Sequence, residues 1–151
     1  MQKIKTCLWF DDRIEEAVKF YTGLFPNSRI LSTSHYPDGR PLVIMFEING
    51  EEIMALNGGP VFKFSEAISL YVECKDQTEI DRYWNALTAD GGEESQCGWL
   101  KDRYGLSWQI APAAVTDYML SGDKAASDRV LAAIMPMKKI ILADLEKAYA
   151  G

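Results

Sequence analysis

The chain has 151 residues, 48% of them hydrophobic, which suits one domain or two small halves sharing a core. Sixteen Lys and Arg against 22 Asp and Glu give a net charge of −6, and no basic run or patch interrupts the pattern, which argues against nucleic acid or an anionic membrane surface as partner. No apolar run approaches a membrane span, no basic-then-apolar leader opens the chain, and Cys7, Cys74 and Cys97 form neither a CxxC pair nor a disulfide framework, so a reduced, cytoplasmic protein is expected.

Residues Ile4 to Phe10 read as a strand. Asp12, with Glu15 three residues on, has the spacing of a capping box that opens a helix. Ile14, Ala17, Val18, Tyr21, Leu24 and Phe25 then recur at helical spacing as one buried stripe, and Phe25-Pro26-Asn27 ends it. Arg29 to His35 is a second strand and Leu42 to Ile48 a third, with Pro37-Asp38-Gly39 as the turn and His35-Tyr36 read as part of the loop. Asn49-Gly50 is a two-residue hairpin turn of the kind that needs positive φ, and Glu52 to Leu56 is the fourth strand. A loop at Gly58-Gly59-Pro60 closes the first half.

The second half begins the same pattern again. Ala67 to Cys74 is a strand, Asp76 and Glu79 repeat the capping pair, and Ile80, Tyr83, Trp84 and Leu87 repeat the apolar stripe up to Gly91-Gly92. A short strand is expected next, followed by a hairpin within Gln96–Pro112, QCGWLKDRYGLSWQIAP, whose two aromatic-rich arms flank Lys101–Gly105. In the second arm Leu106, Trp108 and Ile110 fall on one face and Ser107 and Gln109 on the other, until Pro112 stops the ladder. The duplication is one of pattern, with little identity of residues. From Ala113 to Gly151 the chain is helical, broken by Ser121-Gly122 and Pro136 into three pieces. The last carries Ile140, Ile141, Leu145, Ala148 and Tyr149 as an apolar stripe, which either packs back on the domain or makes a dimer contact.

The phrases LWFDDRIEEAVKFY, ALNGGPVFKFSEAISLYVEC and CGWLKDRYGLSWQIAP, over about residues 1–112, resemble the PhnB-like subgroup of the vicinal oxygen chelate superfamily. That superfamily includes glyoxalase I, bleomycin-resistance proteins and extradiol dioxygenases, and the subgroup often carries the label 3-demethylubiquinone-9 3-methyltransferase. The resemblance implies an α+β fold of paired βαβββ modules, at about 1–58 and 67–112 within a 1–112 domain. Their strands form a curled mixed sheet around a cleft, residues 113–151 form a helical extension, and the protein is a homodimer.

In metal-dependent relatives the first and last strands of each module supply His and Glu ligands. The matching positions here are Thr6, Ala55, Ala67 and Gln109, and the single histidine, His35, lies outside the set. A divalent site needs several deprotonated His, Asp or Glu side chains converging on one point. Glyoxalase-type and dioxygenase-type metal chemistry is therefore expected to be absent, with no metal and no cofactor.

If those positions face the cleft, alternation makes its lining Thr6, Leu8, Ile53, Asn57, Ser69, Tyr71, Ser107 and Gln109. Apolar walls with a few neutral hydrogen-bonding groups suit a small, neutral or weakly polar organic molecule, and binding one in a metal-free cleft is the leading expectation. The alternative is an enzyme (a lyase, isomerase or methyltransferase) using Tyr71 or His35 as acid or base; no catalytic residue is assigned. The first strand runs into Asp11-Asp12-Arg13 without the glycine-rich turn of a Rossmann-type methyltransferase. Cys97 reads as a small, partly buried thiol rather than a nucleophile, and Cys7 and Cys74 read as core. Asp11, Asp12, Glu15 and Glu16 suit the positive end of a helix, and Asp102 and Arg103 a structural turn.

Overall fold

A five-residue strand, β1 (Thr6–Phe10), opens the computed structural model, which describes residues 3–151 and divides into units of residues 1–64 and 65–151. Met1 and Gln2, within the expected first module, lie outside the described residues.

In the first unit β1 is followed by α1 (Ile14–Leu24), β2 (Arg29–His35), β3 (Pro41–Ile48) and β4 (Glu51–Asn57). The strands form an open mixed sheet in the order β1-β4-β3-β2. β1 runs parallel to β4, which requires the chain to cross over between them, and the other pairs are antiparallel. The β3–β4 hairpin turns on Asn49 (φ 49°) and Gly50 (φ 85°), as expected of Asn-Gly. The apolar stripe of α1 is buried at Ile14, Ala17, Val18, Tyr21 and Leu24. The helix lies against β3, β4 and β2 and covers the sheet face that carries Leu8, Phe10, Ile44, Phe46, Ile48, Ile53 and Ala55, each at most 8% exposed.

Asp12 does not cap α1. Asp12 and Arg13 both take left-handed φ near 60°, and the position before the helix is Arg13, which makes no side-chain cap. The buried Asn57 accepts the Asp12 backbone N–H at 3.0 Å, donates to the Pro41 carbonyl at 3.1 Å and reaches the Asp12 carboxylate at 3.4 Å. The turn into the helix is thus held from the end of β4, not by a local capping box. His35, expected in a loop, pairs with Pro41 at the end of the ladder.

The second unit holds β5 (Leu70–Cys74), α2 (Gln77–Thr88), β6 (Glu93–Glu94), β7 (Trp99–Lys101) and β8 (Ser107–Pro112), in an open sheet ordered β5-β8-β7-β6. Topology and pairing directions repeat those of the first unit. Here the capping pair forms: the Asp76 carboxylate accepts the Glu79 N–H at 2.9 Å, and Glu79 reaches back to the Lys75 N–H at 2.9 Å. Residues 67–69 precede β5 instead of opening it.

The turn of the β7–β8 hairpin closes on Asp102, 2% exposed. Its carboxylate accepts the backbone N–H of Tyr104 and Leu106 and the indole N–H of Trp108, at 2.8, 3.1 and 2.9 Å. Arg103 reaches Asp90 at 3.4 Å. Both residues serve structure, as the turn position implied.

The tail forms α3 (Ala114–Leu120), α4 (Lys124–Ile134) and α5 (Leu142–Ala150), broken as the sequence suggested. Val130, Ile134, Ile140 and Leu145 bury against Ala111 at the end of β8, so the last apolar stripe packs back on its own unit, while Ile141 stays 40% exposed. Two devices fix the join. Gln77 donates to the Ile140 carbonyl at 3.0 Å and accepts the Leu142 N–H at 2.8 Å. Cys97 and Gly98 donate backbone N–H groups to the Met137 and Lys138 carbonyls at 2.7 and 2.8 Å. Among the described residues no helix is long and apolar enough to cross a membrane.

Candidate functional site

Strand parity decides which groups each sheet leaves accessible. In the second unit Leu100, Trp108 and Ile110, each at most 1% exposed, share the face that buries against α2 with Cys74. The opposite face then carries Trp99 and Lys101 on β7, Ser107 and Gln109 on β8, and Tyr71 and Glu73 on β5, because side chains alternate along a strand. The ladder sets Tyr71 beside Gln109, Trp99 beside Gln109, and Lys101 beside Ser107. Gln109 donates to the Ser69 hydroxyl at 2.9 Å, so Ser69 joins this group although it precedes β5. Ser69, Tyr71, Ser107 and Gln109, expected together from the sequence, do lie together.

A pocket of about 170 Å³ opens on this face, lined among others by Glu66, Glu93, Glu94, Trp99, Lys101 and Ser107. Lys101 forms an ion pair with Glu66, which lifts the lysine above its ordinary pKa and holds the carboxyl below its own, chiefly through their shared hydrogen bond. Glu94 accepts the Trp84 indole N–H at 2.8 Å. Ser107 is 1% exposed, and its hydroxyl makes no hydrogen bond among the described residues. Leaving a buried hydroxyl unpaired costs about 1–3 kcal/mol, so this atom is a candidate for contact with something outside the chain. Tyr71 is 45% exposed, and partial burial pushes its phenol up from the ordinary value, opposed by a hydrogen bond to Thr116.

Expectation and structure part in the first unit. Leu8, Ile53 and Asn57 are 4%, 6% and 4% exposed and lie on the face covered by α1, with Thr6 in the same parity. Asn57 spends its side-chain amide on Asp12 and Pro41, and its backbone carbonyl accepts the Tyr36 hydroxyl at 2.7 Å. The parity read from the sequence was one residue out, and a one-residue slip moves a whole set of side chains to the other face. The accessible face carries Cys7, Trp9, Met54 and Leu56 instead, so Cys7 is exposed and not core, whereas Cys74 is buried as read. The loop after β4 covers part of that face: Trp9 donates to the Gly59 carbonyl at 2.8 Å and meets Phe62 edge-on at 5.1 Å.

Among the described residues no group of three or more His, Cys, Asp or Glu could hold a metal ion. Cys97 is half-buried, with its thiol 3.5 Å from the Met135 carbonyl. The sequence reading missed Glu66, Glu93, Trp99 and Lys101. The last two were within reach, since continuing the hairpin register back from Ser107 puts Lys101 opposite it; Glu66 comes from a loop that no periodicity marks.

Comparison with known proteins fits this architecture. The family described as 3-demethylubiquinone-9 3-methyltransferase matches residues 2–111. A PhnB protein from Bacillus cereus is 36% identical, with a TM-score of 0.68 over 73% of this chain and 99% of that one. Two others share the fold alone. Protein PA1353 from Pseudomonas aeruginosa is 16% identical, with a TM-score of 0.61 over 74% of this chain and 98% of that one. The fosfomycin resistance protein FosX from Listeria monocytogenes, solved with Mn(II) and sulfate, is 18% identical, with a TM-score of 0.55 over 72% of this chain and 90% of that one. Among curated proteins, none matches. The chain therefore belongs to the PhnB-like family that carries the 3-demethylubiquinone-9 3-methyltransferase description.

Proposed function

We propose that this protein binds a small organic molecule, without a divalent metal, on the accessible face of its second sheet. The observation that carries the reading is the Ser107 hydroxyl, buried and unpaired beside a pocket of about 170 Å³. Gln109, Ser69 and Tyr71 add neutral hydrogen-bonding groups on the same face. Leu8, Ile53 and Asn57 drop out of the lining, because packing and internal hydrogen bonds already occupy them.

Binding is favoured over catalysis by what the two suggested acid–base groups offer. A general base works best with a pKa near the working pH, and burial pushes the Tyr71 phenol the other way. His35 ends the exposed strand β2, and among the described residues no carboxylate bonds its ring. Fold leaves the choice open, since one scaffold hosts many activities. The same reading takes the protein to be a homodimer in a reducing cytoplasm, which the superfamily resemblance and the three free cysteines support; light scattering tests the dimer.

The test is a thermal-shift screen of small organic molecules against wild type and Gln109→Ala, since a ligand selective for the folded state raises its apparent stability. A saturable rise that weakens in the variant supports the reading. Stoichiometric metal in the purified protein, or a strong saturable shift with a divalent ion, overturns the metal-independent part.

A further inference from the structure

We propose that the Ser107 pocket takes a small organic cation, an ammonium group on a few carbon atoms; this rests on the reading that the second sheet binds small molecules. Glu66 and Glu93 line the pocket beside Lys101, and Glu94, opposite Leu100 in the ladder and bonded to the Trp84 indole, lines it from the other face: three carboxylates against one ammonium, an excess of two negative charges. Lys101 is committed to Glu66. Glu93 stands opposite Lys101 in the β6–β7 ladder and adds its own electrostatic pull on the lysine. An acidic patch alone would be an ordinary solvated surface. This one shares its pocket with a serine that is 1% exposed and whose hydroxyl makes no hydrogen bond among the described residues. Parity puts that side chain on the Lys101 and Trp99 face.

A hydroxyl oxygen accepts a hydrogen bond as readily as its O–H donates one, and an ammonium is a donor only. An ammonium N–H donated to Ser107 Oγ would satisfy the orphaned atom, while the remaining positive charge offsets the excess of carboxylate. An anionic ligand would meet the same carboxylates as repulsion. Trp99 supplies an aromatic surface on the lining, and an indole face attracts cations. A pocket of about 170 Å³ suits an ammonium on a few carbon atoms.

Three probes of nearly equal size and different charge separate the possibilities: ethanolamine, ethylene glycol and glycolate, titrated at neutral pH and low salt by calorimetry and thermal shift. Ethanolamine should bind saturably and raise the melting temperature, with the other two weaker by at least tenfold. Ser107→Ala should weaken ethanolamine about tenfold without lowering the melting temperature of the free protein, because the lost hydroxyl had no partner. Glu93→Gln should weaken it about threefold, and added salt should do the same. If ethylene glycol or glycolate binds as well as ethanolamine, the cation inference is overturned while the small-molecule reading survives. It is also overturned if ethanolamine does not bind, or binds both variants as tightly as wild type; the wider screen then judges the parent reading by itself.

Discussion

The two modules share element order and strand pairing, yet they secure that topology with different polar residues. In the first, Asn57 at the end of β4 reaches the turn before α1 and holds two residues there in left-handed conformation. In the second, Asp76 caps α2 locally, and the buried anchor is Asp102 inside the β7–β8 turn. The middle strands differ too: β2 and β3 have 7 and 8 residues, β6 and β7 only 2 and 3. Where the second sheet is short, the C-terminal helices complete its core, and the buried Ser107 hydroxyl makes no hydrogen bond among the described residues. The contrast teaches that apolar parity sets the repeated topology, while each copy solves its helix start and turn separately.

Removing each module's buried anchor should break the comparison most severely. Asp102→Ala strips three hydrogen bonds from a carboxylate and leaves the buried Trp108 N–H unpaired. Hydrogen bonds to charged groups are worth about 1.5–3 kcal/mol each, not additively, so a loss of about 4 kcal/mol is expected by urea denaturation. Asn57→Ala removes two neutral bonds and a long, 3.4 Å contact to the Asp12 carboxylate, and should cost about 2 kcal/mol. Equal losses would show that Asp102 is no stronger a clamp than Asn57.

Next come the tight glycines. Gly98 has φ +85°, and a Cβ there would sit 2.8 Å from Ile140 Cδ1 and 2.9 Å from the Ile110 carbonyl oxygen. Left-handed backbone costs a residue with a Cβ about 1–2 kcal/mol, and the oxygen belongs to a strand that cannot yield. Gly98→Ala should cost about 3 kcal/mol and increase amide exchange in α4 and α5 ahead of the sheet. In the first module, at a different place in the repeat, Gly58 would put its Cβ 2.3 Å from the Trp9 ring. There φ is ordinary and a side chain can move, so Gly58→Ala should displace the indole, read as a shift in tryptophan fluorescence, at a cost of about 2 kcal/mol.

These contrasts also mark what could be read from the residues. The Leu106, Trp108 and Ile110 set against Ser107 and Gln109 tells one face of β8 from the other, because the chemistry alternates with the pleat. β1 and β4 give no such signal. Leu8 and Phe10 alternate with Cys7 and Trp9, and Ile53 and Ala55 with Met54 and Leu56, so both parities are apolar and only the packed helix decides. The Asp76 cap was legible because it is local. The Asn57 bracket spans 45 residues and imitates nothing local, so Asp12 read falsely as a cap. The pocket was half legible for the same reason, since hairpin register reaches Lys101 but not the loop residue Glu66.

The two helix starts give a smaller, sharper test. Asp76→Ala removes a working cap and should cost about 1 kcal/mol. Asp12 sits at φ 59°, where glycine is unstrained. Asp12→Gly should therefore cost nothing or stabilise by up to about 0.5–1 kcal/mol, since the Asn57 bond uses the backbone N–H that glycine keeps. A loss of more than 1 kcal/mol from Asp12→Gly would mean that its carboxylate is a cap after all.

The first strands supply the mildest perturbation, because each carries one cysteine in opposite parity. Cys7 points to the accessible face and Cys74 to the packed one, where burial pushes its thiol from 9.0 up to about 12. Partial burial raises Cys7 as well, without a comparable barrier to reagent. In the native protein at neutral pH, a thiol reagent should label Cys7 and leave Cys74 untouched until unfolding, as peptide mapping would show. Near neutral pH, stability should not vary with pH through Cys74, since its thiol is protonated in both states. Above about pH 9 the unfolded chain releases this proton and the folded chain keeps it. The folded state then binds more protons, and stability falls as pH rises toward about 12. Cys74→Ala should lose that part of the alkaline slope, while Cys7→Ala should keep it. If the two variants show the same slope, the difference in parity between β1 and β5 is not expressed in their chemistry, and the assignment of the accessible faces fails with it.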